Sequence, residues 1–248
     1  MLHLFADPAD MQDGLLTITG SEVNHIRNVL RMKPGDELSV SSGTDAKEYR
    51  FGIETMDAEK IVCRLRFVKD SDVELPVKVY LFQGIPKSDK MDLIVQKCVE
   101  LGAFSVIPVS MERCVAKIDP AKAQKKIQRW QKIAEAAAMQ SRRRVIPEVA
   151  LPMTMKEAVA FARDNTDVRI LPYELMKEDG STKELLESIC PGSSVSVFIG
   201  PEGGFTEEEV AEAKEAGILP VSLGRRILRT ETAGMTVLSW LIYLLEIS

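Results

Sequence analysis

The sequence is poor in the residues that build metal centres and disulfide frameworks. It has four cysteines and two histidines in 248 residues, and the cysteines lie far apart with no C-x-x-C pair. A zinc site needs clustered Cys or His ligands, and disulfide frameworks are typical of short secreted chains. We therefore expect no metal, and reduced thiols that pack in the core.

Long apolar runs and leader-like segments are also missing. The most apolar stretch, residues 233–245, has only 13 residues, whereas a helix needs about 20 to span a bilayer. The first residues show no basic region followed by an apolar run, so we expect no export signal. The sequence predicts a soluble, cytoplasmic protein without a membrane segment.

Two common signatures of nucleotide and nucleic-acid binding are absent. Neither G-x-x-x-x-G-K-S/T nor G-x-G-x-x-G occurs, which disfavours a nucleotide-hydrolysing α/β enzyme. Aromatic residues make up 6% of the chain and are spread out, so stacking of several bases is not indicated. A nucleic-acid partner would be recognised through its shape and its phosphates.

The net charge of −5 conceals a basic segment. Residues 113–144 hold ten Lys or Arg against Asp119 and Glu135. Screening limits exposed charge interactions to about 8–10 Å at cellular salt, so a phosphate responds to the nearest patch and not to the total. The segment is a candidate RNA surface, although residues 122–132 alone also fit a solvated helix face.

Two glycine turns are the most informative feature that is present. Residues 199–205 (IGPEGGF) follow a β-like run, and residues 223–233 (LGRRILRTETA) follow another, fewer than 25 residues later. Glycine directly after a strand lets the backbone approach a ligand closely. The pair predicts one pocket lined by main-chain amides. Two ordinary strand-to-helix turns are the alternative.

The sequence predicts two domains. Residues 1–72 alternate short β-like runs with turn residues, which is typical of a small β-barrel. From Val77 strands alternate with helices, which predicts a mainly parallel α/β sheet in residues 73–248. The strand candidates of this second domain are residues 77–82, 105–109, 168–171, 195–199 and 221–223.

The two glycine turns resemble the C-terminal signature of the SPOUT class of RNA methyltransferases. More narrowly, the chain resembles the ribosomal RNA small subunit methyltransferase E family. Similar stretches cover nearly the whole chain: residues 25–31, 87–92, 96–102, 129–133, 140–142 and 146–147. The resemblance implies a PUA-like RNA-binding domain at 1–72 and a SPOUT domain with a C-terminal trefoil knot at 73–248.

The resemblance also implies the reaction and the cofactor. The methyl donor would be S-adenosylmethionine, and the target N3 of one uridine in 16S ribosomal RNA, either free or in the small ribosomal subunit. Three loops would hold the donor: the turn after Leu171, residues 200–204 and residues 223–228. The cofactor-binding residues expected are Leu171, Ile199, Gly200, Pro201, Glu202, Gly203, Gly204, Leu223, Gly224, Ile227 and Leu228.

Uridine N3 is a poor nucleophile while it carries its proton, so the site must remove the proton or stabilise the anion that results. The catalytic candidates are Glu202, Arg229, Thr230 and Glu231. Glu202 is either the base or a partner of backbone donors in its turn. Arg229 is either a cation near the developing charge or a brace paired with Glu231. The sequence does not choose the base.

Candidate RNA contacts occur in both domains. They are His25, Arg27 and Arg31 in the N-terminal domain, and Lys87, Lys90, Arg129, Gln140, Arg142 and Arg143 in the catalytic domain. His25 equally fits a histidine that is satisfied within its helix. Arg143 stands where the family more often has a small residue, which makes its contact less secure than that of Arg142.

The final helix, residues 232–246, is apolar on nearly all sides. It is either a core helix or a two-fold interface, and we expect a homodimer through this region because the family's knots pack as dimers there. Two rival functions remain: a knotted methyltransferase acting on another RNA, and a non-catalytic RNA-binding assembly factor. The intact glycine turns favour an enzyme.

Overall fold

The computed structural model describes residues 1–116, 118, 120–176 and 181–247, with the backbone alone for residues 120 and 122. It divides the chain into two compact units: Met1–Glu74 with Ala138–Ile146, and Leu75–Ala137 with Pro147–Ser248. The expected boundary at residue 72 lies close to the first division. The return of residues 138–146 to the first unit is a feature that the sequence did not indicate.

The first unit is built on a five-stranded sheet that curls into half a barrel. Its strands are β1 (His3–Phe5), β2 (Leu15–Thr19), β3 (Glu37–Ser41), β4 (Lys47–Met56) and β5 (Lys60–Asp70). They pair in the order β1-β3-β4-β5-β2, antiparallel except for β1 with β3. Helix α1 (Ser21–Asn24) continues into a π-helical turn (His25–Val29), whose Ile26 is fully buried in the core of the unit.

Two consecutive arginines tie residues 138–146 to the rest of the first unit. Arg143 donates from Nε and Nη2 to one oxygen of Glu74, at 3.0 and 2.6 Å. Arg144 donates to Glu48 at 2.8 Å, and both arginines are buried. The Ile146 amide donates to the Gly43 carbonyl at 2.8 Å. The segment is therefore an integral part of the unit's interior.

The second unit contains a parallel sheet with helices. The strands are β6 (Lys78–Gly84), β7 (Ser105–Ser110), β8 (Glu148–Val149), β9 (Met153–Thr154), β10 (Val168–Pro172), β11 (Ser194–Ile199) and β12 (Leu219–Val221). The helices are α2 (Lys90–Glu100), α3 (Pro120–Gln140), α4 (Met155–Asn165), α5 (Ser181–Glu187), α6 (Glu207–Glu215) and α7 (Thr230–Ile242), with a π-helical turn at Tyr243–Ile247. The last three residues of α3 belong to the first unit.

The strand order is β12-β10-β11-β6-β7-β8, with β9 also paired to β7, and every pair is parallel. Parallel strands are buried on both faces and so read as nearly continuous apolar runs, as β11 does. Phe82 and Phe198 stack at 4.5 Å between ring centroids in this core. The predicted α/β fold with a PUA-like first unit is confirmed, whereas the trefoil knot stays a prediction.

The topology brings three loops to one edge of the sheet. They follow strands β10, β11 and β12. Strands β12, β10 and β11 are direct neighbours, and parallel neighbours present their carboxyl ends at the same edge. Helix α6 starts immediately beyond the loop after β11, where Thr206 and Glu209 form a capping box. The loop is thereby held between a strand end and a fixed helix start.

Candidate active site

A cavity of about 400 Å³ opens at this edge of the sheet. Its walls are residues 172–174 after β10, residues 199–205 at and after β11, and residues 222–230 between β12 and α7. Ten of the eleven predicted cofactor-binding residues line it; Leu171 does not. Leu171 is fully buried in the core, and the residues that follow it reach the cavity instead.

Glycine is required by close approach in residues 200–204, which we call the GPEGG turn. A Cβ on Gly84, at the end of β6, would lie 2.6 Å from the Pro201 nitrogen. Gly204 has φ +68°, and a Cβ there would lie 2.8 Å from Glu174 Oε1. The turn is therefore packed backbone to backbone, and side chains at these positions would displace it.

The cavity fits a nucleoside-type ligand. Its volume lies within the range of about 300–1,000 Å³ for small-molecule sites. Main-chain groups of the three segments offer hydrogen bonds, while Ile199, Leu223 and Ile227 offer apolar surface. The Ile227 side chain is 86% exposed, so it is available to cover a ligand.

A lysine joins two carboxylates at the cavity. Lys90 Nζ lies 2.9 Å from Glu202 Oε1 and 3.3 Å from Glu231 Oε2. The hydrogen bond that Lys90 donates to Glu202 raises the Lys90 pKa; burial opposes this effect and Glu231 adds to it, so Lys90 remains protonated. Lys90 was predicted to contact RNA; the structure places it in the cavity wall.

Glu202 is held as an ionised anchor. Burial acts to raise its pKa, but the hydrogen bonds from Lys90 and from backbone amides outweigh burial and leave the pKa lowered. One of those amides is that of Lys87, 3.2 Å from Oε1. A carboxylate with a lowered pKa is a weaker base. Of the two readings left open by the sequence, the geometry favours the partner of backbone donors.

Arg229 is exposed at the N-cap of α7 and lines the cavity. Across the described ranges its side chain forms no ion pair, and Glu231 pairs with Lys90 instead. The bracing alternative for Arg229 lacks its expected partner. Thr230, by contrast, is buried: its hydroxyl donates to the Gly200 carbonyl at 2.6 Å and accepts from Gln83 Nε2 at 2.8 Å.

Sequence reasoning missed three residues that support the GPEGG turn. They are Gln83, Gly84 and Arg113, whose Nη1 donates to the Gly203 carbonyl at 3.0 Å. Gly84 carried the same signal as the other turns, a glycine at the end of a strand. Gln83 and Arg113 had no local signal because their partners are distant in sequence.

Three RNA candidates predicted in the catalytic domain, Gln140, Arg142 and Arg143, belong to the first unit, because residues 138–146 return to it. The candidates of this unit divide by exposure. His25, Arg27 and Arg31 are exposed on the short helical segment and just beyond it. Gln140 and Arg142 are exposed as well, and Arg142 has φ +61°. Arg143 is 4% exposed and bound to Glu74, so it lies in the interior and we leave it out of the RNA surface.

The candidates of the second unit are partly engaged with acidic residues. Lys87 is exposed beside the GPEGG turn. Arg129 is exposed but pairs with Asp92, which also accepts from Trp130 Nε1 at 3.0 Å. Lys117 and Asp119 of the basic segment lie outside the described residues, as does the side chain of Lys122.

Two features are absent from the described part of the chain. No helix there is long and apolar enough to cross a membrane. No group of three or more His, Cys, Asp or Glu side chains there is arranged to hold a metal ion.

Comparison with known proteins places the chain in a family. The RNA methyltransferase domain family matches residues 73–242, and the RNA methyltransferase PUA domain family matches residues 18–66. Ribosomal RNA small subunit methyltransferase E of Bacillus subtilis is 38% identical over 234 residues, which cover 93% of this chain and 91% of that protein.

Two solved structures with S-adenosylmethionine bound have the same fold. A putative methyltransferase of Legionella pneumophila is 33% identical with a TM-score of 0.80, covering 97% of this chain and 96% of its own. The ribosomal RNA small subunit methyltransferase E of Neisseria gonorrhoeae is 30% identical with a TM-score of 0.80, covering 98% of each chain. With these matches the predicted relationship is confirmed: the chain belongs to the ribosomal RNA small subunit methyltransferase E family.

Proposed function

We propose that the protein transfers the methyl group of S-adenosylmethionine to N3 of a uridine in 16S ribosomal RNA. The family supports the class of reaction, and the two relatives solved with S-adenosylmethionine support the donor. The observation that carries the proposal is the convergence of three strand-end segments on one cavity, with Arg229, which forms no ion pair with the described residues, in its wall.

The three segments hold the donor through their backbones. The GPEGG turn and residues 222–228 present amides and carbonyls, and the apolar side chains of Leu223, Ile227 and Leu228 enclose the base. S-adenosylmethionine, when bound, supplies a methyl group already activated by a positively charged sulfur. The remaining task of the chain is to align the nucleophile and to manage the N3 proton.

Arg229 is the cation that serves the uracil. Loss of the N3 proton leaves negative charge on O2 and O4, and a preorganised cation at that position lowers the barrier. The Lys90 charge is already matched by Glu202 and Glu231, whereas Arg229 forms no ion pair in the part of the chain that the structure describes. Glu202 keeps the GPEGG turn in place and does not act as the base.

RNA is bound by exposed residues of both units. In the first unit these are His25, Arg27, Arg31, Gln140 and Arg142; in the second they are Lys87 and Arg129. Guanidinium and ammonium groups bind phosphates without reading sequence. Because the substrate is ribosomal, we place the enzyme in the cytoplasm.

A second copy of the chain covers the outer face of α7. The helix buries one face, with Ala233, Val237 and Leu241, while Trp240 is half-buried and Tyr243 is 61% exposed. Beside them lies a cavity of about 410 Å³ with mainly apolar walls. Sedimentation should show a dimer that Tyr243→Asp dissociates. A monomeric wild-type protein would contradict this part of the proposal.

The test of the reaction is nucleoside mass spectrometry of 16S ribosomal RNA from cells with and without the gene. The strain without it should lack one N3-methyluridine, and purified protein with S-adenosylmethionine should restore it on free RNA or on small subunits. Unchanged 16S ribosomal RNA together with a methyl group lost from another RNA would point to the rival methyltransferase. RNA binding without any methylation would point to an assembly factor.

A further inference from the structure

A fully buried amide lies at the end of β6, behind the cavity wall. Gln83 has no exposed surface, and its Nε2 donates to the Gly84 carbonyl at 2.9 Å and to the Thr230 hydroxyl at 2.8 Å. Thr230, 7% exposed, in turn donates to the Gly200 carbonyl at 2.6 Å. The bond from Gln83 to Thr230 and the bond from Thr230 to Gly200 form a relay, in which both donors point from Gln83 towards Gly200.

The relay joins three parts of the site that are distant in sequence. Gln83 is the penultimate residue of β6, Gly200 begins the GPEGG turn, and Thr230 is the first residue of α7. Thr230 stands directly between Arg229 and Glu231, so the position of its hydroxyl sets the rotation of the helical turn that carries both. One buried amide thus fixes the GPEGG turn and the first turn of α7 relative to each other.

Gln83 carries a cost that an apolar residue would not. Its Oε1 is buried and has no hydrogen-bond partner among the described residues. An unpaired buried acceptor destabilises the folded state. Methionine, with a side chain of similar length, would fill the same space without this cost. The glutamine is explained by the two groups that its Nε2 binds, the Gly84 carbonyl and the Thr230 hydroxyl.

We infer that Gln83 is a positioning residue for methyl transfer, which acts through Thr230 on the GPEGG turn and on the first turn of α7. The inference rests on the proposed function. Reactions in enzyme sites are sensitive to small displacements: an error of about 1 Å costs about a hundredfold in rate. Without the relay, S-adenosylmethionine still binds and the first turn of α7 still forms, but the two are no longer aligned with each other.

The test compares Gln83→Met, Thr230→Val and the double variant. At saturating S-adenosylmethionine each single variant should lose at least about tenfold in single-turnover rate, with a smaller loss of cofactor affinity. The double variant should be no slower than the slower single variant, because residues that act as one unit are not additive. Thr230→Ser keeps the hydroxyl and should recover most of the rate lost by Thr230→Val.

Two matched controls lie elsewhere in the second unit. Thr166 is also 7% exposed, and its hydroxyl bonds to the Ala162 carbonyl and to the Ser196 hydroxyl, both at 2.7 Å. Gln131 bonds to the Pro147 carbonyl at 3.1 Å and to the Val149 amide at 2.9 Å. Thr166→Val and Gln131→Met lose comparable hydrogen bonds and should methylate at the wild-type rate.

The outcomes separate the two levels of inference. An inactive wild-type protein would overturn the proposed function, whereas an active wild type with an equally active Gln83→Met would overturn only the relay. Equal slowing by Thr166→Val would also overturn it, because hydrogen-bond loss anywhere would then suffice. If Gln83→Met does not fold, the pair Thr230→Val and Thr230→Ser decides, because it breaks and restores the same relay without altering Gln83; equal rates for these two variants would overturn the inference.

Discussion

The variant Arg229→Ala tests whether Arg229 acts in catalysis or supports the fold. The structure predicts how much the free energy of unfolding should change. The side chain is exposed and, within the described residues, forms no ion pair; the helix start is held by its backbone carbonyl, which accepts from the Thr232 amide at 2.9 Å. Truncation therefore leaves no buried charge behind. Unfolding free energy should change by less than about 0.5 kcal/mol, equivalent to about 1–2 °C in melting temperature at this chain length.

The effect on the reaction should be far larger. A cation that stabilises the uracil anion acts mainly in the transition state, so its loss lowers the rate more than it weakens ground-state binding. Removing one such electrostatic contact costs about 3–4 kcal/mol, or a factor of about 10²–10³. S-adenosylmethionine affinity should stay within about tenfold of wild type, because the turns that hold the donor are unchanged.

Three measurements on one preparation decide the matter: single-turnover methylation, calorimetric affinity for S-adenosylmethionine, and thermal melting. Arg163→Ala is the control, since Arg163 is exposed on α4 and, among the described residues, its side chain pairs only with its neighbour Asp164. A variant at Arg229 that methylates at a near-normal rate but melts early and binds the donor weakly would assign this residue to the fold and refute the reasoning.

Further predictions concern Gly84, which packs against the GPEGG turn, the arginines at 142 and 143, and the loss of stability at acid pH. Gly84→Ala should weaken S-adenosylmethionine affinity at least about tenfold by calorimetry, because its Cβ would lie 2.6 Å from a GPEGG-turn nitrogen; unchanged affinity would mean that the turn has room. Arg142→Ala should lower the salt slope of RNA binding by about one at constant melting temperature. Arg143→Ala should keep the slope but lose about 1–3 kcal/mol of stability, since the half-buried Glu74 carboxylate loses two hydrogen bonds from a charged donor; the reverse pattern would contradict both assignments. Burial, helped by Arg144, lowers the pKa of His3 from 6.5 to about 4, so the unfolded chain alone takes up a proton between these values. Stability in urea should therefore fall as pH falls from 6.5 towards 4, and His3→Gln should flatten that slope; an unchanged slope would exclude His3 as its source.

The sheet and its turns could be predicted because their signals are local. Strands β10 and β11 read as apolar runs, and the glycines, together with the Thr206 capping box, directly follow β11 in sequence. The relay could not be predicted in the same way. Gln83 and Thr230 are 147 residues apart, and nothing near either of them in the sequence indicates the other.

Residues 142–144 show a second limit. Three consecutive arginines look alike in a sequence and suggest one basic surface. In the structure Arg142 adopts φ +61° and faces solvent, while Arg143 and Arg144 turn inward to Glu74 and Glu48. The carboxylates that decide this lie about 70 and 96 residues earlier, so the local charge pattern alone does not distinguish a surface from an interior.

The return of residues 138–146 to the first unit has a consequence for folding during synthesis. Chains emerge from the ribosome N-terminus first, and domains generally fold as units. Here Glu48 and Glu74 emerge long before Arg143 and Arg144, the arginines that they bind. The first unit completes its interior only after the leading strands of the second have appeared, so the two units mature in an interleaved order. A fragment meant to reproduce the first unit must therefore carry residues 138–146 with it, because a cut after residue 72 removes both arginines and Glu74.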